Sequence, residues 1–146
     1  MLKIRRVELA VRTNNVEGLK GLLESYSPSG NDVANCLMEA VSEGRVEVVK
    51  VFLSVNYKRH LNTYKDHEKK YPLFIALEKN DVAMARVILN NGMSERTKKL
   101  TRWRKLSPMQ YVAKFNYTEM AALLLKEGFS PDMRGMYCIF LSENIV

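Results

Sequence analysis

Two histidines, His60 and His67, and two cysteines, Cys36 and Cys138, are the side chains of this 146-residue chain best suited to metal, nucleophilic or proton-transfer chemistry. The histidines stand seven apart in one stretch with no cysteine close in sequence, so the paired spacing of a zinc site is absent. Cys36 begins a predicted helix and Cys138 sits among apolar residues. Both read as packed thiols, not as activated nucleophiles, which need a cationic, partly exposed setting. Two cysteines make no disulfide framework, and reduced thiols point to the cytoplasm or nucleus. Glycines fall at predicted helix ends and not in a phosphate-cradling loop. Asp81 and Asp132 lie at turns. Glu17, Glu47 and Glu119 recur at helix starts, where a carboxylate favours the helix dipole. The methionines lie mostly at core spacing. These residue types in these positions imply no enzyme, no cofactor and no metal.

Recognition chemistry is better supplied. The stretch ERTKKLTRWRKL holds Arg96, Lys98, Lys99, Arg102, Arg104 and Lys105 around Trp103. Earlier, YKRHLNTYKDHEKK holds Lys58, Arg59, Lys65, Lys69 and Lys70 with Tyr57 and Tyr64. From Tyr57 to Lys70 the charge is +3, and from Met93 to Leu106 it is +5, against +7 for the whole chain. The remainder is therefore close to neutral, and the excess is confined to two stretches. Concentrated charge attracts anionic surfaces and speeds association. An aromatic among arginines either stacks on a base or anchors a peptide. The plainer alternative is a pair of solvated loops, with Trp103, Leu100 and Leu106 pinning the second onto the body of the protein.

The body must be one domain by length, with enough chain to bury a core. No apolar run approaches the ~18 residues of a membrane span. The opening MLKIRRVELAVRTNN is too charged for a secretory signal.

Internal repetition supplies the elements. VELAVRTNNVEGLKGLLES, LMEAVSEGRVEVVKVFLSV, LFIALEKNDVAMARVILNN and MQYVAKFNYTEMAALLLKE align without gaps from Val7, Leu37, Leu73 and Met109, at offsets of 30, 36 and 36 residues. Ala10, Ala40, Ala76 and Val112 form a column of small or β-branched residues, where helices must approach closely. Four positions on stand Asn14, Gly44, Asn80 and Asn116, types that tolerate the left-handed conformation ending a helix. Val82, Met84, Ala85, Val87, Ile88 and Leu89, and then Met120, Ala121, Leu123, Leu124 and Leu125, mark buried helical faces. Gly92 and Gly128 close the second helices. Ser107-Pro108 and Tyr71-Pro72 open first helices, Asn35 is the expected cap in the second unit, and Arg5 holds that place in the first without capping. Each unit reads as a short helix, a tight turn, a longer helix and a link.

YPLFIALEKNDVAMARVILNNG and SPMQYVAKFNYTEMAALLLKEGFSPD resemble ankyrin repeats, which recur every ~33 residues with a T-P-L-H-x-A opening. The resemblance covers nearly the whole chain. It departs from the pattern in the histidine column, held here by Glu8, Met38, Phe74 and Gln110, so looser or shorter turn fingers are expected.

The fold this implies is an all-α, ankyrin-like solenoid of four helix–turn–helix repeats with long inter-repeat loops. Its units span roughly 3–30, 33–68, 70–105 and 107–133. Residues 134–146 form an apolar cap or the first helix of a fifth unit, in which case the native chain continues. The resemblance further implies that the two basic links project from one edge as neighbours. A concave surface of finger loops and first helices would then be offered to a protein partner. Glu39, Ile75 and Tyr111 are its expected exposed first-helix positions. The expected partner is a protein with an acidic segment. The alternative is nucleic acid or an anionic lipid surface on the same patch, or a role as targeting domain of a larger protein.

Overall fold

Four turns built alike organise the chain. The computed structural model describes residues 2–54, 70–91 and 106–129. Asn14, Asn80 and Asn116 have φ of 56°, 51° and 57°, and Gly44 has 71°. At each turn the next amide bonds five residues back: Asn15 to the Ala10 carbonyl at 2.8 Å, and Arg45, Asp81 and Tyr117 to Ala40, Ala76 and Val112 at 2.9 Å. The left-handed residue itself donates three back, to Val11, Val41, Leu77 and Ala113. This pair of bonds satisfies carbonyls that a helix end would otherwise leave open. The small-residue column therefore also supplies the acceptor for each turn.

Eight helices among the described residues pair across these turns: α1 (Leu2–Arg12) with α2 (Val16–Ser25), α3 (Gly30–Ser42) with α4 (Val46–Ser54), α5 (Pro72–Glu78) with α6 (Val82–Asn90), and α7 (Pro108–Lys114) with α8 (Thr118–Lys126). Asn15 and Asp81 end one motif and begin the next helix. Their side chains accept from the Gly18 amide at 3.0 Å and the Met84 amide at 3.1 Å. One residue thus closes a helix and caps its successor, which keeps the connection short. Gly128, with φ 89°, ends α8 in the same way, and the following Phe129 is buried.

Two helix starts differ from expectation. Asn35 and Arg5 are not caps but interior residues of α3 and α1. In α3 the cap is Ser29, whose hydroxyl accepts from the Asp32 amide at 3.3 Å and donates to its carboxylate at 2.7 Å. The first helices of the first two units, at 11 and 13 residues, are consequently longer than their partners, of 10 and 9. Pro72 and Pro108 hold the later first helices to 7 residues, because proline suits the first helical position and the chain before it stays extended. Residues 26–29 join α2 to α3 in four residues, with no strand.

Packing is by like on like. α1, α3, α5 and α7 stack in one layer, and α2, α4, α6 and α8 in the other. Ala40, Ala76 and Val112 are fully buried between them, beside Leu19, Phe52, Met84, Ile88, Met120 and Leu124. Each of the larger of these side chains contributes on the order of 1.5–3 kcal/mol on burial, the alanines less. Outer faces carry Glu17–Lys20 and Glu47–Lys50 pairs at 3.7 and 3.0 Å, too exposed to matter much for stability.

Candidate protein-binding surface

The described residues frame the basic links without including them. Link residues Lys58, Arg59, Tyr64, Lys65, Lys69, Arg96, Lys98, Lys99, Arg102, Trp103, Arg104 and Lys105 lie outside the described residues. So do Tyr57, His60, His67, Gly92, Asp132 and Cys138. What is described is where each link departs and returns. The link at 55–69 runs from the end of α4 to the start of α5, and that at 92–105 from the end of α6 to the start of α7. α4 packs on α6 and α5 on α7, so the helices that the two links leave are neighbours, as are the helices to which they return.

Lys70 corrects one expectation. The sequence places it with the solvent-facing charge, yet only 4% of it is exposed. Its ammonium lies 2.7 Å from the Glu78 carboxylate. Glu78 ends α5, where a carboxylate opposes the helix dipole and a cation relieves it. Lys70 is withdrawn from the patch for that reason, which lowers the first link from +3 to +2.

Tyr111 and Ile75 are the second correction. Both were expected on an open face, and both are 5% exposed. Tyr111 meets the edge of Phe74 at 5.9 Å and 86°, and lies 4.9 Å from the Phe115 ring. Aromatic edge contacts of this kind close the gap between the third and fourth units. Burial pushes the Tyr111 phenol above its ordinary value, and the Glu78 carboxylate adds to the effect. Glu39 is half-buried and accepts from the Arg12 guanidinium at 3.1 Å, tying α1 to α3. Of the same column, only Leu9 is open, at 61%.

Cys36 lies inside α3 and not at its start, and is buried. Its thiol is pushed up to about 12, first by burial and then by Glu8, Glu39 and Asp32. A thiol so placed stays protonated and is no nucleophile at neutral pH. Among the described residues no group of three or more His, Cys, Asp or Glu could hold a metal ion. None of the described helices is long and apolar enough to cross a membrane.

Two features escaped the sequence reading. Gln110, in the column of the missing histidine, closes a capping box. Its amide donates to the Ser107 hydroxyl at 3.2 Å, and its side chain accepts from the Ser107 amide at 2.9 Å. The S-x-x-Q spacing of Ser107 and Gln110 is the signal that could have shown this. Phe115 is 47% exposed, in a column held elsewhere by Thr13, Glu43 and Lys79. An aromatic in an otherwise polar column was its signal.

A family model described as ankyrin repeats (3 copies) matches residues 7–99 and matches again over 37–135. The two placements begin at Val7 and Leu37, the first residues of the first two aligned units.

Proposed function

Because the chain belongs to the ankyrin-repeat family, we propose that it binds a protein partner carrying an acidic segment, through the basic edge of its two long links together with its first-helix face. Ankyrin repeats are generally protein–protein interaction modules, and the family is generally non-enzymatic. One observation carries the finer reading. With Lys70 set aside, the links still hold +2 and +5, which equals the net charge of the entire chain. The adjacency of their anchoring helices supports a single combined field. Lysine and arginine steer an acidic segment, while tyrosine and tryptophan give contact area. A buried free thiol such as Cys36 suits the cytoplasm or nucleus, where we place the protein.

Affinity purification with mass spectrometry, comparing the intact chain with an Arg102→Glu, Arg104→Glu, Lys105→Glu variant, tests this. A partner with an acidic stretch, lost on charge reversal, is the expected result. The competing reading is nucleic acid or anionic lipid on the same edge, favoured only by the charge. Gel shifts with single-stranded and duplex oligonucleotides and a vesicle pull-down decide between them. Micromolar binding to either, abolished by the same reversal, would overturn the protein-partner reading.

A further inference from the structure

Phe115 is out of place for a solenoid turn. A lone exposed phenylalanine needs no explanation, but this one is held. Its ring stacks on Tyr117 at 5.7 Å and 22°, tilts against Tyr111 at 4.9 Å, and has the Lys114 ammonium 5.6 Å above its centroid. Tyr111 in turn abuts Phe74 of the preceding unit. The rings form a chain from the core outward, so Phe115 is fixed before any partner arrives, and the ordering cost on binding is small.

The charges around it are unbalanced. Lys114 is exposed and has no ion-pair partner among the described residues. Lys79, exposed and without an ion-pair partner among the described residues, holds the Phe115 column one unit earlier, as the C-cap of α5, which packs against α7. The acid beside Lys79, Glu78, is already taken by Lys70. Beyond the turn Glu119 lies in the first turn of α8, where the helix dipole offsets it.

We propose that Phe115, flanked by Lys114 and Lys79, is the anchoring point for a peptide segment whose aromatic or branched aliphatic side chain lies next to its carboxylates. This rests on the reading of the protein as a binder of acidic segments, but uses a site separate from the links. The ring packs against Tyr117 and Tyr111 with the Lys114 ammonium over it, and about half of Phe115 stays exposed. Its exposed part suits an apolar side chain, and Lys114 and Lys79 supply positive charge for the neighbouring carboxylates. A central, rigid aromatic is the usual form of such an anchor.

The test is selection of a phage-displayed library of 12-residue peptides on the full chain, with affinities of the selected peptides measured on variants. Peptides pairing an aromatic or branched aliphatic residue with Asp or Glu are expected. They should weaken by about 10-fold or more on Phe115→Ser. Lys79→Ala with Lys114→Ala should weaken them at least about 3-fold, and Phe115→Tyr should retain binding. An unchanged unfolding midpoint shows that Phe115→Ser remains folded. Selected peptides that lack the acidic–apolar pairing, or that bind Phe115→Ser equally well, overturn the proposal. So does self-association of the wild type that Phe115→Ser abolishes, since the occupant is then a second copy. Binding lost on charge reversal of the links but kept in Phe115→Ser would support the link reading and sink this one. The opposite pattern would do the reverse.

Discussion

Gly44 and Gly21 show how one residue type acts in opposite senses. Gly44 sits at φ 71°, and a Cβ there would stand 3.3 Å from the Asp81 carboxylate of the next unit. Gly44→Ala is expected to destabilise the protein by about 1–2 kcal/mol, mostly from left-handed backbone strain. Gly21 lies on the exposed side of α2 with nothing within 4 Å of an added Cβ. Gly21→Ala should stabilise by about 0.5–1 kcal/mol, since it lowers only backbone freedom in the unfolded chain. Urea midpoints of the two variants, moving in opposite directions, check both. Cys36 carries a pH signature. Its folded thiol titrates near 12 against an ordinary value of 9.0. Between those limits the unfolded chain releases this proton and the folded chain keeps it. Its contribution is complete below pH 9 and lost as pH rises toward 12, by up to about 1.4 kcal/mol per unit. Wild type should therefore lose stability faster than Cys36→Ala between pH 9 and 11. Parallel denaturation curves for the two would refute this.

At the scale of the element, helix starts are set by local chemistry that differs from unit to unit. The Ser107–Gln110 box closes both orphan donors at the start of α7, a helix of only 7 residues. Short helices depend on their ends. Ser107→Ala should cost about 1 kcal/mol. Adding Gln110→Ala should cost less than it does alone, because the two side chains act on one turn. A double-mutant cycle by thermal unfolding measures this coupling, and strict additivity would mean the box contributes nothing as a unit. Tyr71 offers no side-chain cap to α5, which leans instead on Pro72 and on the buried Lys70–Glu78 pair at 2.7 Å.

At the scale of the molecule, no unit buries its own apolar face. Met84 of α6 is fully buried, on a helix packed against both α4 and α8. Met84→Ala should cost about 2–5 kcal/mol. In a stack of nearest-neighbour interfaces the loss is shared with the flanking units. Hydrogen exchange should rise in α4 and α8 as well as in α6, and an increase confined to α6 would contradict that coupling. In the sequence the excess charge falls in the two links, and the protein-binding reading proposes that they form one basic edge.

Local backbone demands were legible from residue types. Asn14, Gly44, Asn80 and Asn116 announced their left-handed turns because few residues tolerate that conformation. Ala10, Ala40, Ala76 and Val112 announced the close helix approach because size at that column is sterically limited. Two such columns, repeated in register along the chain, determined the fold. The starts of α1 and α3 were less legible: the repeat alignment points to Asn35 for the second unit's cap, whereas Ser29 with Asp32 caps α3 one turn and more earlier. The candidate site was legible only as charge in the two links. The burial of Lys70, Ile75 and Tyr111 and the exposure of Phe115 were decided by tertiary structure. Each depends on which side chains the folded chain brings alongside, Glu78 from the far end of α5 for Lys70 and Phe74 of the preceding unit for Tyr111. A column in the sequence specifies a residue's place within its unit, whereas its solvent exposure is a property of the contact between units.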